Sequence, residues 1–61
     1  MYFKLEILYV DDTHESIIVK RVSDISNKSR FFYYEQPNDE RGKGTSIEKS
    51  KIKCFECNIN N

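Results

Sequence analysis

The chain has 61 residues, with ten basic and ten acidic side chains and a formal net charge of zero. This length predicts one domain, residues 1–61, too small for a nucleotide-binding βαβ domain or a multi-part active site. The balanced charge argues against a non-specific nucleic-acid binder. Val, Ile, Leu and Phe make up 16 of the 61 residues, a share that argues against disorder. Since burial and chain entropy nearly cancel in so small a core, we expect association with another surface to add stability.

Alternating apolar and polar residues at 2–10 predict the first strand. A polar turn at 11–14 then leads into 15–22, where β-branched residues predict the second arm of a hairpin. The apolar residues of the first strand would share one face: Phe3, Leu5, Ile7 and Tyr9.

A helix at about 13–25 is the alternative for this part of the chain, and it would make the fold α+β. Asp12 and Glu15 have the spacing of a capping box, and three apolar residues follow at helical spacing. The successive β-branched residues Ile17, Ile18 and Val19 favour the strand.

Further strands are predicted at 30–36 and 51–59, with a loop at 37–44 and a short strand or single turn at 45–49. The segment 46–52 resembles the short helical turn before the last strand of SH3-like barrels. We therefore predict an all-β fold, either a small five-stranded SH3-like or Sm-like barrel or a curled antiparallel sheet.

The sequence contains one Cys-x-x-Cys motif, formed by Cys54 and Cys57. A structural zinc site normally needs four ligands, so this pair would need a second copy of the chain to complete it. Residues three apart on a strand point to opposite faces, which disfavours chelation. We therefore expect two small buried apolar residues and no cofactor, with a zinc-stabilised homodimer as an alternative.

No other motif predicts catalysis, so we expect a protein that is not an enzyme. His14 is the only histidine and lies in a polar turn. Gly42-Lys43-Gly44 lacks the first glycine of a phosphate-binding loop and the Ser or Thr after its lysine.

Four consecutive aromatic residues at 31–34 are the main candidate for a binding surface. Alternation sends them to the two faces in pairs, and in a thin sheet one pair should stay partly exposed, as is typical of interfaces. We predict that Tyr9, Phe32 and Tyr34 form an apolar partner or dimer interface. Its predicted charged rim consists of Arg30, Lys51 and Lys53. A small-barrel nucleic-acid binder that stacks bases on these aromatics is the alternative function.

The composition is typical of an AT-rich genome: Phe, Tyr, Met, Ile, Asn and Lys total 28 residues, whereas Gly, Ala, Arg and Pro total six. At the level of class, the chain resembles the short accessory proteins of AT-rich phages and prophages. That resemblance implies stoichiometric inhibition of a host or defence-system protein. With no signal segment or membrane span in the sequence, we expect a cytoplasmic protein, with a homodimer as its own state.

Overall fold

The computed structural model describes residues 1–23 and 29–60, and within these ranges the chain forms six strands and one short 3₁₀ turn. Sheet A has the strand order β2-β1-β6, sheet B has the order β3-β4-β5, and every pair of neighbours is antiparallel. The predicted all-β fold is confirmed. The elements are β1 (Tyr2–Tyr9), β2 (His14–Val19), β3 (Arg21–Ser23), β4 (Phe31–Glu35), β5 (Thr45–Glu48), the 3₁₀ turn (Lys49–Lys51) and β6 (Ile52–Asn60).

Strands β2 and β3 are two halves of one extended segment that bends at Lys20 and so contributes to both sheets. The helix alternative at about 13–25 is wrong for residues 14–23, and its last two residues lie outside the described ranges. Ile17 and Val19 are buried while Ile18 between them is exposed. This period of two matches a strand, and it places both buried side chains on the inner face of sheet A.

The two sheets do not close into a barrel, so the closed form of the predicted fold is wrong and the curled-sheet form agrees with the structure. Counting β2 and β3 as one bent strand, β5 and β6 are the two ends of the order, and they do not pair within the described ranges. The Lys49 N–H donates to the Arg30 carbonyl at 2.9 Å. The 3₁₀ turn that begins at Lys49 leads into β6, and β6 pairs with β1 and not with β5.

The core lies between the sheets and is formed by alternate residues of β1, β2 and β4. Leu5 and Ile7 are fully buried on β1, and Leu5 lies opposite Ile17 on β2. Phe32 and Tyr34 of β4 cover them from sheet B. Burying aliphatic and aromatic side chains of this size contributes roughly 1.5–3 kcal/mol each. The buried cluster consists of Leu5, Ile7, Ile17, Val19, Phe32 and Tyr34.

Glu35, at the end of β4, is a buried carboxylate that fixes the loop after it. Its Oε2 accepts hydrogen bonds from the Tyr33 hydroxyl and from the Gly42 N–H, the latter at 2.7 Å. Its Oε1 lies 3.3 Å from the Arg21 Nε in an ion pair. The hydrogen bond from Tyr33, the Gly42 N–H and the charge of Arg21 together hold the pKa of Glu35 below its usual range. Glu35 therefore has a structural role, joining β3, β4 and the loop.

Glu35 makes the stability of the fold depend on pH in a defined direction. Because its pKa is lowered in the folded state, its contribution is present above the unfolded value of 4.5 and is lost as the pH falls below it. We expect the melting temperature to fall by several degrees more in the wild type than in Glu35→Gln between about pH 6 and about pH 3. Thermal denaturation followed by circular dichroism tests this, and equal falls in the two proteins would contradict it.

Candidate functional site

Two of the aromatic residues predicted to form an exposed binding patch are part of the core. Phe32 is fully buried and Tyr34 is 6% exposed. The expectation that their side chains are exposed is wrong, because register places this pair, and not Phe31 and Tyr33, on the inner face of sheet B. Phe31 is instead 46% exposed. Neither Phe32 nor Tyr34 can contact a partner without rearrangement of the core.

Tyr9 is half-buried and packs against the core cluster, so its ring is not an open apolar patch either. Its hydroxyl donates a hydrogen bond to a Glu15 carboxylate oxygen on the neighbouring strand β2. Burial, and then this hydrogen bond, raise the pKa of Tyr9 above its usual value. The contact ties the end of β1 to β2, which is a structural role.

The three residues of the predicted basic rim are exposed, but they lie at different places around the 3₁₀ turn. Arg30 is near the start of the turn, where its carbonyl accepts from the Lys49 N–H. The Lys51 carbonyl accepts from the Val10 N–H at 3.0 Å, which places Lys51 beside the β1–β2 turn. The Lys53 ammonium lies 3.1 Å from Asp12. Because Lys53 faces a carboxylate, these cations do not form one uninterrupted basic patch, and their role in binding remains a prediction.

Cys54 and Cys57 are exposed free thiols, so the expectation that they are buried is wrong. Cys54 lies opposite Leu8 and Cys57 lies opposite Leu5, which puts the two thiols on opposite faces of sheet A. The predicted opposition of their side chains is therefore confirmed. It leaves the pair no common side on which to hold an ion, and a zinc-stabilised homodimer gains no support from this arrangement.

The outer edge of β6 is a long, exposed strand edge in the described part of the chain. All nine residues of this strand except Ile52 are exposed. One edge pairs with β1, and the other edge has no partner strand among residues 1–23 and 29–60. An edge strand of this length offers a row of N–H and C=O groups to any extended segment that aligns with it.

Strand β6 also carries an apolar stripe that the core does not cover. Phe55 lies opposite Ile7 and Ile59 lies opposite Phe3, so both side chains belong to the inner face of sheet A. Yet Phe55 is 42% exposed and Ile59 is 59% exposed, because β6 is an edge strand of sheet A. We call the three inner-face residues Phe55, Cys57 and Ile59 the β6 stripe.

A bulge in β6 connects this stripe to a groove at the open side of the fold. The register shifts so that Cys54 opposes Leu8 but Ile52 opposes Tyr9, which leaves Lys53 as the extra residue. Simple alternation would place Ile52 on the face of Cys54, whereas the bulge turns Ile52 towards the core. The groove has a volume of about 360 Å³ and is lined by Phe32, Lys49, Ile52, Lys53, Cys54 and Phe55.

An aromatic contact between Phe55 and Phe32 lies at the bottom of this groove. The ring centroids of Phe55 and Phe32 are 4.8 Å apart with an interplanar angle of 55°. Tilted rings at this separation attract each other, so the exposed part of Phe55 is anchored on a fully buried side chain. A surface with an ordered aromatic side chain binds a partner at a low cost in side-chain entropy.

The β6 surface offers apolar area and a free strand edge. In residues 1–23 and 29–60 we find no group of three or more His, Cys, Asp or Glu side chains that could hold a metal ion. The same residues include no helix long and apolar enough to cross a membrane.

The chain matches no known protein family, no curated protein and no solved structure in the comparisons made.

The two residues that dominate the surface, Phe55 and Ile59, were absent from the predicted interface. Alternation along 51–59 places them correctly on one face, but that pattern alone describes a strand packed on the core. Their exposure follows from the position of β6 at the end of sheet A, which only the pairing of the first strand with the last reveals.

Proposed function

We propose that the protein is a non-enzymatic protein-binding module and that β6 is its binding surface. The observation that carries this proposal is the uncovered inner face of an edge strand: Phe55 and Ile59 are 42% and 59% exposed although they lie opposite core positions of β1. Exposed apolar residues in one row, next to a free strand edge, are typical of surfaces that bind another polypeptide.

The mode of action that fits is occlusion of a partner. The module binds a host or defence-system protein in the cytoplasm in a fixed stoichiometry, and thereby blocks its site or its assembly. The composition supports this assignment, since the chain resembles the short accessory proteins of AT-rich phages. The small size supports it too, because 61 residues provide a docking face more readily than an active site.

The experiment compares three tagged proteins as baits in extracts of the cells that encode the chain: the wild type, Ile59→Glu and Ile18→Glu. Ile59→Glu places a charge on the β6 stripe. Ile18→Glu is the matched control, because Ile18 is also exposed but lies on β2, at the opposite edge of sheet A. A protein retained by the wild type and the control but lost with Ile59→Glu is the candidate partner.

Titration of that purified partner then measures the effect. We expect Ile59→Glu to weaken binding at least about tenfold, equivalent to about 1.4 kcal/mol, because it buries a charge in an apolar contact. Both variants should keep wild-type thermal stability to within roughly 0.5–1 kcal/mol, since both positions are exposed. Equal affinity of all three proteins would exclude β6 as the binding surface.

A further inference from the structure

The free edge of β6 is compatible with pairing to a second copy of itself. In a continuous antiparallel sheet, residues directly opposite each other share a face. A two-fold axis normal to sheet A reverses the strand direction and keeps the two inner faces on the same side. Such an axis must pass midway between one residue of β6 and the same residue of the second copy, which then lie directly opposite each other.

Only a few positions of this axis are available, and the side chains of β6 discriminate among them. An axis at Glu56 places two carboxylates directly opposite each other, which is destabilising. An axis at Phe55 extends the pairing through Lys53, where the bulge bends the strand. An axis at Asn58 places Phe55 opposite Asn61, so the aromatic side chain of the strand gains no apolar partner.

An axis at Cys57 avoids these three conflicts. It places Phe55 opposite Ile59 of the second copy, twice by symmetry, and these are the two most exposed large apolar side chains of the strand. On the other face, Glu56 lies opposite Asn58 and Cys54 lies opposite Asn60. No like charges face each other in this register, and all seven residues from Cys54 to Asn60 are paired.

We propose that the occupant of the β6 edge is a second copy of this chain, paired antiparallel about a two-fold axis at Cys57. This inference rests on the proposed function, because it uses the same strand. It goes further in naming the occupant and the register. Pairing joins the two β6 stripes into one apolar surface of six side chains, and this doubled surface is then what a protein partner contacts.

The register is tested by its effect on the two thiols. At the axis, the Cα atoms of the two Cys57 residues would be about 4.5–5.5 Å apart, within the range of a disulfide. The two Cys54 residues would be displaced by six positions, or about 20 Å. We expect Cys54→Ser, which keeps Cys57, to form a covalent dimer with diamide, and Cys57→Ser to do so at least about tenfold more slowly. In that reaction two thiols lose two protons and two electrons, which reduce diamide to its hydrazine.

Sedimentation equilibrium of the reduced wild type, from micromolar to millimolar concentration, measures the dimer itself. We expect reversible dimerisation that Ile59→Glu weakens at least about tenfold and Ile18→Glu leaves unchanged. Equal crosslinking through either cysteine would overturn the register. A monomer over the whole range would overturn the second copy as occupant, even where Ile59→Glu still loses a captured partner. A dimer whose partner binding ignores Ile59→Glu would support this inference and refute the proposed function alone.

Discussion

Phe32→Ala is expected to remove about half or more of the free energy of unfolding of this protein. The Phe32 side chain is fully buried between the sheets and contacts the ring of Phe55, so its removal leaves a large cavity. Truncation of a buried Phe costs about 3–5 kcal/mol. A chain of this length has a total stability of only about 3–9 kcal/mol, at roughly 0.05–0.15 kcal/mol per residue. Urea denaturation followed by circular dichroism measures the loss.

The neighbouring residue provides the control for this prediction. Phe31 has the same side chain on the same strand but is 46% exposed on the other face of sheet B. Phe31→Ala should therefore cost about 1 kcal/mol or less. A larger loss for Phe31→Ala than for Phe32→Ala would mean that β4 presents its faces the other way round, and similar losses would contradict the burial of Phe32 alone.

Gly44→Ala is expected to destabilise the fold by about 3 kcal/mol, because no side chain fits at this position. A Cβ atom on Gly44 would lie 2.0 Å from the Tyr34 carbonyl oxygen and 2.9 Å from the Glu35 Cγ. The first of these atoms belongs to the backbone of the central strand of sheet B, so relief requires the hairpin to open. The free energy of unfolding in urea is again the measurement.

Gly42→Ala separates this steric effect from backbone conformation. Gly42 has a positive φ of 82°, but a Cβ there would have no atom within 4 Å. Alanine at Gly42 should therefore cost only about 1–2 kcal/mol, the ordinary penalty for a left-handed residue. A larger loss at Gly42 than at Gly44 would contradict the close approach of Gly44 to β4.

The strands of this protein could be predicted from local patterns, whereas their arrangement could not. Alternation and β-branched residues located β1, the β2–β3 segment, β4 and β6 to within a few residues. The bend at Lys20 was missed because the segment from His14 to Ser23 contains no glycine or proline to mark it. The open side of the fold was missed because closure of a barrel depends on which strands pair, and local patterns do not determine the pairing.

The residues of the candidate site also could not be predicted from local sequence patterns. Alternation divides residues 31–34 into two pairs, but it cannot say which pair faces inwards. The choice is made by sheet B, where Tyr34 pairs with Val22 and Phe32 pairs with Ile47, a pairing between distant parts of the chain. Likewise, Phe55 and Ile59 have the pattern of core residues, and only the edge position of β6 leaves them exposed.

The pairing of β1 with β6 also determines when this chain can fold. Tyr2 lies opposite Asn60, so the central strand of sheet A acquires one of its two neighbours only after every other strand has been synthesised. Contacts between such distant residues close slowly, which is typical of β proteins that fold in milliseconds to seconds. During translation, the edge of β1 that later pairs with β6 therefore stays open until the last strand has emerged.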